Sequence, residues 1–107
     1  MTDQTLTRAQ PLEPGRTALL IIDVQNATFA PDMAQTRPWF FEQARDHAVP
    51  NIAALAQACR ARGIEVIYTV MESLTQDGRD RSLDYKLSGF NFPKGSHAAQ
   101  VIEAVAP

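Results

Sequence analysis

Ala18-Leu19-Leu20-Ile21-Ile22-Asp23 is the stretch that decides the fold. Its five consecutive apolar residues read as a strand buried on both faces, as in a parallel sheet covered by helices. The strand is expected to run from Thr17 to Val24. A carboxylate just past such a strand stands where open α/β sheets place their sites, in the crevice at the carboxyl ends of the strands. Acidic residues also end strands simply to shape the next turn. Position alone therefore leaves Asp23 with a functional and a local reading.

Working outward, Gln25 to Asp32 reads as a loop containing Pro31. Trp39 to Arg62 is helical in pattern. Ile52, Leu55, Ala56 and Cys59 fall on one face, which Phe41, Ala44 and Ala48 extend backwards. Pro50 is expected to kink this helix or to begin a second segment. Gly63, after the basic Arg60 and Arg62, fits the left-handed position that ends a helix. Ile64 to Val70 is rich in β-branched residues and reads as a second strand. Strand, helix, strand makes a βαβ unit, so the strands should be parallel and the crossover right-handed.

Residues 72–93 mix charges with Tyr85, Phe90 and Phe92. An irregular segment of about twenty residues inside a domain is usually functional or disordered, and its aromatics argue against disorder. It suits a lid over a small polar substrate, and a solvated charged loop is the plainer reading. Ser96 is expected to N-cap a last helix, His97 to Val105. Two parallel strands do not close an α/β domain, because such strands are normally flanked by others and covered on both faces. The expected fold class is α/β, a Rossmann-like parallel sheet with helices on both faces, incomplete in these 107 residues.

Composition narrows the function. A net charge of -2 gives no reason to expect nucleic acid or an anionic membrane as partner. No apolar run approaches the ~20 residues that span a bilayer. Residues 1–16 lack the apolar core of a secretory signal and read as a flexible arm, which fits a cytoplasmic protein. The single cysteine, Cys59, allows no internal disulfide. It lies on the apolar helix face, where a thiol behaves as a small hydrophobe. His47 and His97 have no neighbour at ligand spacing, so no metal site is expected. Gln25 stands where an aspartyl-phosphate phosphotransferase would carry a second Asp. The sequence also lacks a glycine-rich dinucleotide fingerprint, a phosphate-binding P-loop and a serine nucleophile elbow. No cofactor is called for.

Thr17-Ala18-Leu19-Leu20-Ile21-Ile22-Asp23-Val24-Gln25-Asn26 resembles the opening motif of the isochorismatase-like cysteine hydrolases. That family includes nicotinamidases, N-carbamoylsarcosine amidases and ureidoacrylate amidohydrolases. The run from Asp77 to Phe90, followed by Pro93-Lys94-Gly95-Ser96, looks like the branch nearest the ureidoacrylate type. The resemblance extends from about Thr17 to Pro107.

The resemblance implies an Asp-Lys-Cys triad in which Asp23 is the general base. The Lys would favour the thiolate, which attacks an amide carbonyl to give an acyl-enzyme. In the family the Lys ends a strand and the Cys begins a helix that both come later than the segment matched here. Lys94 and Cys59 do not match those positions. The resemblance further implies substrate contacts at Gln25, Asn26 and Phe29, and places Glu72 at the same sheet end. Tyr85 joins them from the lid-like segment. The metal-binding histidine pair of the nicotinamidase branch has no counterpart. The expected partner is a small amide or ureido substrate, with homo-oligomeric assembly. These residues alone are expected to be inactive. An alternative is a non-catalytic half-domain that pairs its open sheet edge with another chain or a copy of itself.

Overall fold

The computed structural model describes residues 6–107. The five residues before them belong to the expected N-terminal arm and lie outside the described part. β1 (Ala18–Ile22) and β2 (Glu65–Thr69) pair in parallel, with Leu20 opposite Ile67 and Ile22 opposite Thr69. Between them come α1 (Met33–Thr36), α2 (Pro38–Gln43) and α3 (Val49–Ala61). The expected strands are present, each shorter at its ends, and the βαβ order holds.

Alternation along the strands sorts their side chains onto two faces. Leu19, Ile21, Val66 and Tyr68 meet Ile52, Ala53 and Ala56 of α3, together with Ile102 and Val105 from the C-terminal end. Tyr68 fastens this side by donating to the Val105 carbonyl and accepting from the Arg60 guanidinium. On the opposite face Leu20, Ile22 and Ile67 are 51%, 60% and 41% exposed. Leu55, expected on the packed face of α3, is also half exposed and borders this open side with Leu20 and Ile22. The radius of gyration, 17.8 Å, exceeds the roughly 13 Å of a compact domain of this length. Among the described residues, helices cover one face of the sheet only.

Pro50 does not break the long helix; it changes the turn before it. Ala44–Ala48 forms a π-helical turn between α2 and α3, closed by the Val49 N–H donating to the Ala44 carbonyl. Pro50 has no N–H for the carbonyl four residues back, and its ring crowds that oxygen, so the backbone widens there. At the other end Gly63 adopts φ 71°, and Ile64 N–H reaches the Cys59 carbonyl at 2.9 Å. That is the Schellman stop the sequence anticipates.

The expected helix over His97 to Val105 is not formed. Turns occupy 97–100, Val101 bridges Gln25, and only Glu103–Val105 is a short 3-10 turn. The reason lies in where the carbonyls are used. Asn26 N–H takes Gln100 O, Ala27 N–H takes Ala98 O, and Ile102 N–H takes Val24 O. Side chains of Gln25 and Asn26 claim Ala99 O and His97 O. A backbone whose carbonyls and Ile102 N–H turn toward the segment after β1 cannot also follow a helical path, in which they would point along the helix axis. Ser96 caps only a turn, accepting from the Ala99 N–H at 3.3 Å.

Residues 72–93 are more ordered than an irregular loop. Ser73 N–H bonds Phe92 O, and Lys94 N–H bonds Ser73 O, both at 2.7 Å, so the segment's two ends meet. It contains α4 (Leu83–Ser88), N-capped by the Ser82 hydroxyl on the Tyr85 N–H and stopped at Gly89 with φ 81°. Asp80 holds the stretch before α4 by accepting from Leu74 N–H, Thr75 N–H and the Thr75 hydroxyl.

Candidate functional site

Asp23 is the one non-glycine residue with positive φ, 58°, among the described residues. The left-handed region costs an L-residue roughly 1–2 kcal/mol, less for Asp than for most. The residue is held there from β2. Its N–H donates to the Thr69 carbonyl and hydroxyl oxygens, at 3.1 and 3.2 Å, and the Thr69 hydroxyl donates to its Oδ1 at 2.9 Å. Thr69 follows from the parallel register, since it pairs with Ile22, the residue before Asp23. Among the described residues the half-buried carboxylate has no partner for its second oxygen.

Gln25 is the largest fully buried side chain, at 1% exposure. Its Nε2 donates to Met71 O at 2.8 Å and Ala99 O at 2.7 Å, and its Oε1 accepts from Met71 N–H at 2.8 Å. Both donors are thus spent on backbone. Gln25 stitches together the chain after β1, the chain after β2 and the C-terminal turns. Asn26 adds a bond from Nδ2 to His97 O at 2.8 Å. Phe29 stacks on Phe40, with ring centroids 5.9 Å apart, and packs toward the core.

Two clefts open at this end of the sheet. One, of about 220 Å³, is walled by Phe40, Tyr85, Phe90 and Phe92, with Thr28 and Arg37 as polar members. The other, of about 340 Å³, is more polar and includes Glu72, Ser73, Asp80 and Arg81. Met71, Tyr85, Phe90 and Phe92 border both. Tyr85 meets Phe90 edge to face at 5.7 Å, and its hydroxyl lies 3.0 Å from the Met71 sulfur.

Of the expected site residues, Glu72 and Tyr85 share the polar cleft. Asn26 and Phe29 line a separate groove beside Phe41 and Val49. Asp23 and Gln25 line neither cleft; they stand at the same sheet end, tied to Thr69 and Met71, the residues on either side of Val70. Sequence reasoning missed Thr69, Arg37 and Met71. Thr69 alone had a signal, the strand register. Cys59 carries its carbonyl to Ile64, just before β2, and so sits at the amino end of the strands. A strand of this length separates it from Asp23 by about 16 Å. Among the described residues no cluster of three metal-ligating side chains is found. No helix among them is long and apolar enough to cross a membrane.

Comparison with known proteins places the chain in a family. Residues 17–107 match the isochorismatase domain, and the chain belongs to the isochorismatase-like cysteine hydrolase family. A crystal structure of a cysteine hydrolase from Pseudomonas syringae pv. phaseolicola 1448A is similar, with a TM-score of 0.70 and 30% identity. The match covers 92% of this chain and 45% of that one, so the chain spans less than half the length of that relative. No curated protein matches the chain.

Proposed function

We propose that the domain begun by this chain hydrolyses a small amide, carbamoyl or ureido C–N bond through a cysteine nucleophile, with Asp23 as general base. The observation that carries the reading is Asp23 itself. It occupies a costly left-handed conformation at the carboxyl end of β1, with one oxygen fixed by Thr69 and the other left for a proton. The thiol proton would pass to that oxygen. The thiolate would add to the substrate carbonyl, Asp23 would pass the proton on to the departing amine or ammonia, and water, deprotonated by Asp23, would release the acid from the acyl-enzyme and restore the thiol. Backbone N–H groups beside the nucleophile would hold the oxyanion.

The cysteine and an assisting lysine would come from the part of the fold that follows these residues. Cys59, at the far end of the strands, would not serve. These 107 residues by themselves would therefore show no turnover. Gln25 and Asn26 would act by fixing the loops around the site, and Glu72 and Tyr85 would face the substrate. Residues 72–93 would form its lid. A cytoplasmic homo-oligomer acting on free small molecules fits the same reading.

The test is ammonia release from a panel of carbamoyl and ureido acids by the protein as its gene encodes it. Asp23→Asn should lower kcat/KM by about 10²–10⁴. Retention of most of the activity would remove Asp23 from the chemistry. One observation favours a second reading, an assembly module: the bare face of Leu20, Ile22 and Ile67 beside an unpaired edge of β1. A stable assembly that hydrolyses no member of the panel would support it.

A further inference from the structure

The two clefts share a wall of rings. Tyr85, Phe90 and Phe92 stand in a row with Phe90 in the middle, its centroid 5.7 Å from that of Tyr85 and 5.8 Å from that of Phe92. The outer two are held by their surroundings. Tyr85 belongs to α4 and sets its hydroxyl against the Met71 sulfur, and the Phe92 carbonyl accepts from Ser73 N–H. Phe90 has less to hold it. It is 48% exposed, so packing alone fixes it poorly. It also follows Gly89, at φ 81°, a residue type that turns freely about its backbone.

Arg81, half-buried, supplies the missing tie. Its Nη1 donates to the Phe90 carbonyl at 2.8 Å and its Nε to the Gly78 carbonyl at 2.7 Å. Those carbonyls lie on either side of α4, so one guanidinium closes the loop that carries the helix. The Gly78 end is firm: Gly78 is buried, and its carbonyl also accepts from the Arg81 N–H at 3.1 Å. Among the described residues no carboxylate pairs with Arg81. Its charge therefore strengthens two bonds to neutral backbone. A rigid planar fork reaches both carbonyls at once, which an ammonium on a flexible stem does not reproduce.

We infer that Arg81 is a positioning residue that fixes the Phe90 ring as the partition between the two clefts, and through it limits the length of ligand taken at this end of the sheet. A short amide or ureido compound fits within one cleft. A compound with an extended ring body has to cross from one cleft into the other, past Phe90. Neither cleft is lined by Asp23, so the partition governs binding and not the bond-breaking step. The choice of an amide or ureido ligand rests on the hydrolase reading; the placement of Phe90 does not.

The experiment takes the protein as its gene encodes it and compares hydrolysis of a short probe, N-carbamoylglycine, with that of a long one, 4-ureidobenzoate. Arg81→Gln should lower the short-to-long ratio of kcat/KM by about tenfold, through KM, with kcat kept within about threefold. Arg81→Lys should do nearly the same. Phe90→Leu should match it, and the double variant Arg81→Gln/Phe90→Leu should fall no further. A second readout needs no turnover: the Phe90 edge contact displaces the Tyr85 ring proton resonances, and Arg81→Gln should return them toward those of a free tyrosine. An unchanged ratio, full rescue by lysine, additive losses in the double variant, or Tyr85 resonances that stay in place would each overturn the inference. The two readings fail separately. Resonances that move in Arg81→Gln, in a protein that cleaves neither probe, would remove the hydrolase and leave Arg81 as the tie of Phe90. Hydrolysis that depends on Asp23, with ratio and resonances indifferent to Arg81, would do the reverse.

Discussion

Truncating Gln25 to alanine should be among the most damaging single changes in the chain. The side chain is 1% exposed and makes three hydrogen bonds, all to backbone groups of Met71 and Ala99. Gln25→Ala leaves one N–H and two carbonyls without their partner. Each stranded group costs about 1–3 kcal/mol when water cannot replace the lost bond. Met71 is only half-buried, so its two groups belong at the low end of that range, while the Ala99 carbonyl belongs in the middle. The sum is about 3–4 kcal/mol, a large share of the 5–15 kcal/mol typical of a folded domain. Urea unfolding should show a midpoint lower by about 2 M at an ordinary slope. Amide exchange at Met71 should quicken by about tenfold or more even where the rest of the fold persists. Gln25→Glu should fare no better, since a carboxylate offers no donor to the two carbonyls. A midpoint shift near zero, with Met71 still protected, would mean that solvent satisfies these groups and that the stitch is dispensable.

Three other outcomes are expected. Asp23→Gly should be more stable than Asp23→Ala by about 1 kcal/mol, because both lose the Thr69 bond but only glycine adopts φ 58° freely; equal melting would show that the conformation carries no strain. The Asp80 carboxyl is pulled from its ordinary 3.8 to about 2 by the Thr75 hydroxyl and then by the Leu74 N–H, so its contribution is present above 3.8 and is lost as pH falls toward 2. Protection of the Leu74 and Thr75 amides, relative to free peptide at the same pH, should fall across that window, and Asp80→Asn should remove the step; protection that does not change with pH would contradict the capping role. Gly78→Ala should loosen the same segment. The new methyl would lie 2.5 Å from Arg81 Nε and 2.6 Å from Asn91 Oδ1 at a φ of 70°, costing more than about 1 kcal/mol and several degrees in Tm.

What could be read in the sequence was whatever depends on local pattern. The apolar run before Asp23, the β-branched Ile64–Val70 and the Gly63 stop each express a propensity contained in a few neighbouring residues, and each has its counterpart in β1, β2 and the end of α3. The failed helix at His97–Val105 shows the opposite case. Its periodicity was real, yet its carbonyls accept from Gln25, Asn26 and Ala27 and its Ile102 N–H donates to Val24, more than seventy residues away in the chain. The site divides in the same way. Asp23 stood out by its place after a strand, whereas the internal bonding of Gln25 depends on where Met71 and Ala99 come to lie. Arg37 is a plain surface arginine in sequence, and only the fold brings the turn between α1 and α2 to the same cleft as Tyr85 and Phe90.

The paired ends of the 72–93 segment have a consequence for how such a protein can change over time. Because Ser73 is hydrogen bonded to both Phe92 and Lys94, everything between enters and leaves the sheet end through one narrow neck. Residues gained or lost inside that neck shift no strand, and each doubling of a loop's length costs only about 0.6 kcal/mol. Asp23 and the bonds of Gln25 lie outside it. Drift can therefore reshape the cleft walls at Tyr85 and Phe90 while the contacts of Asp23 and Gln25 are inherited unaltered.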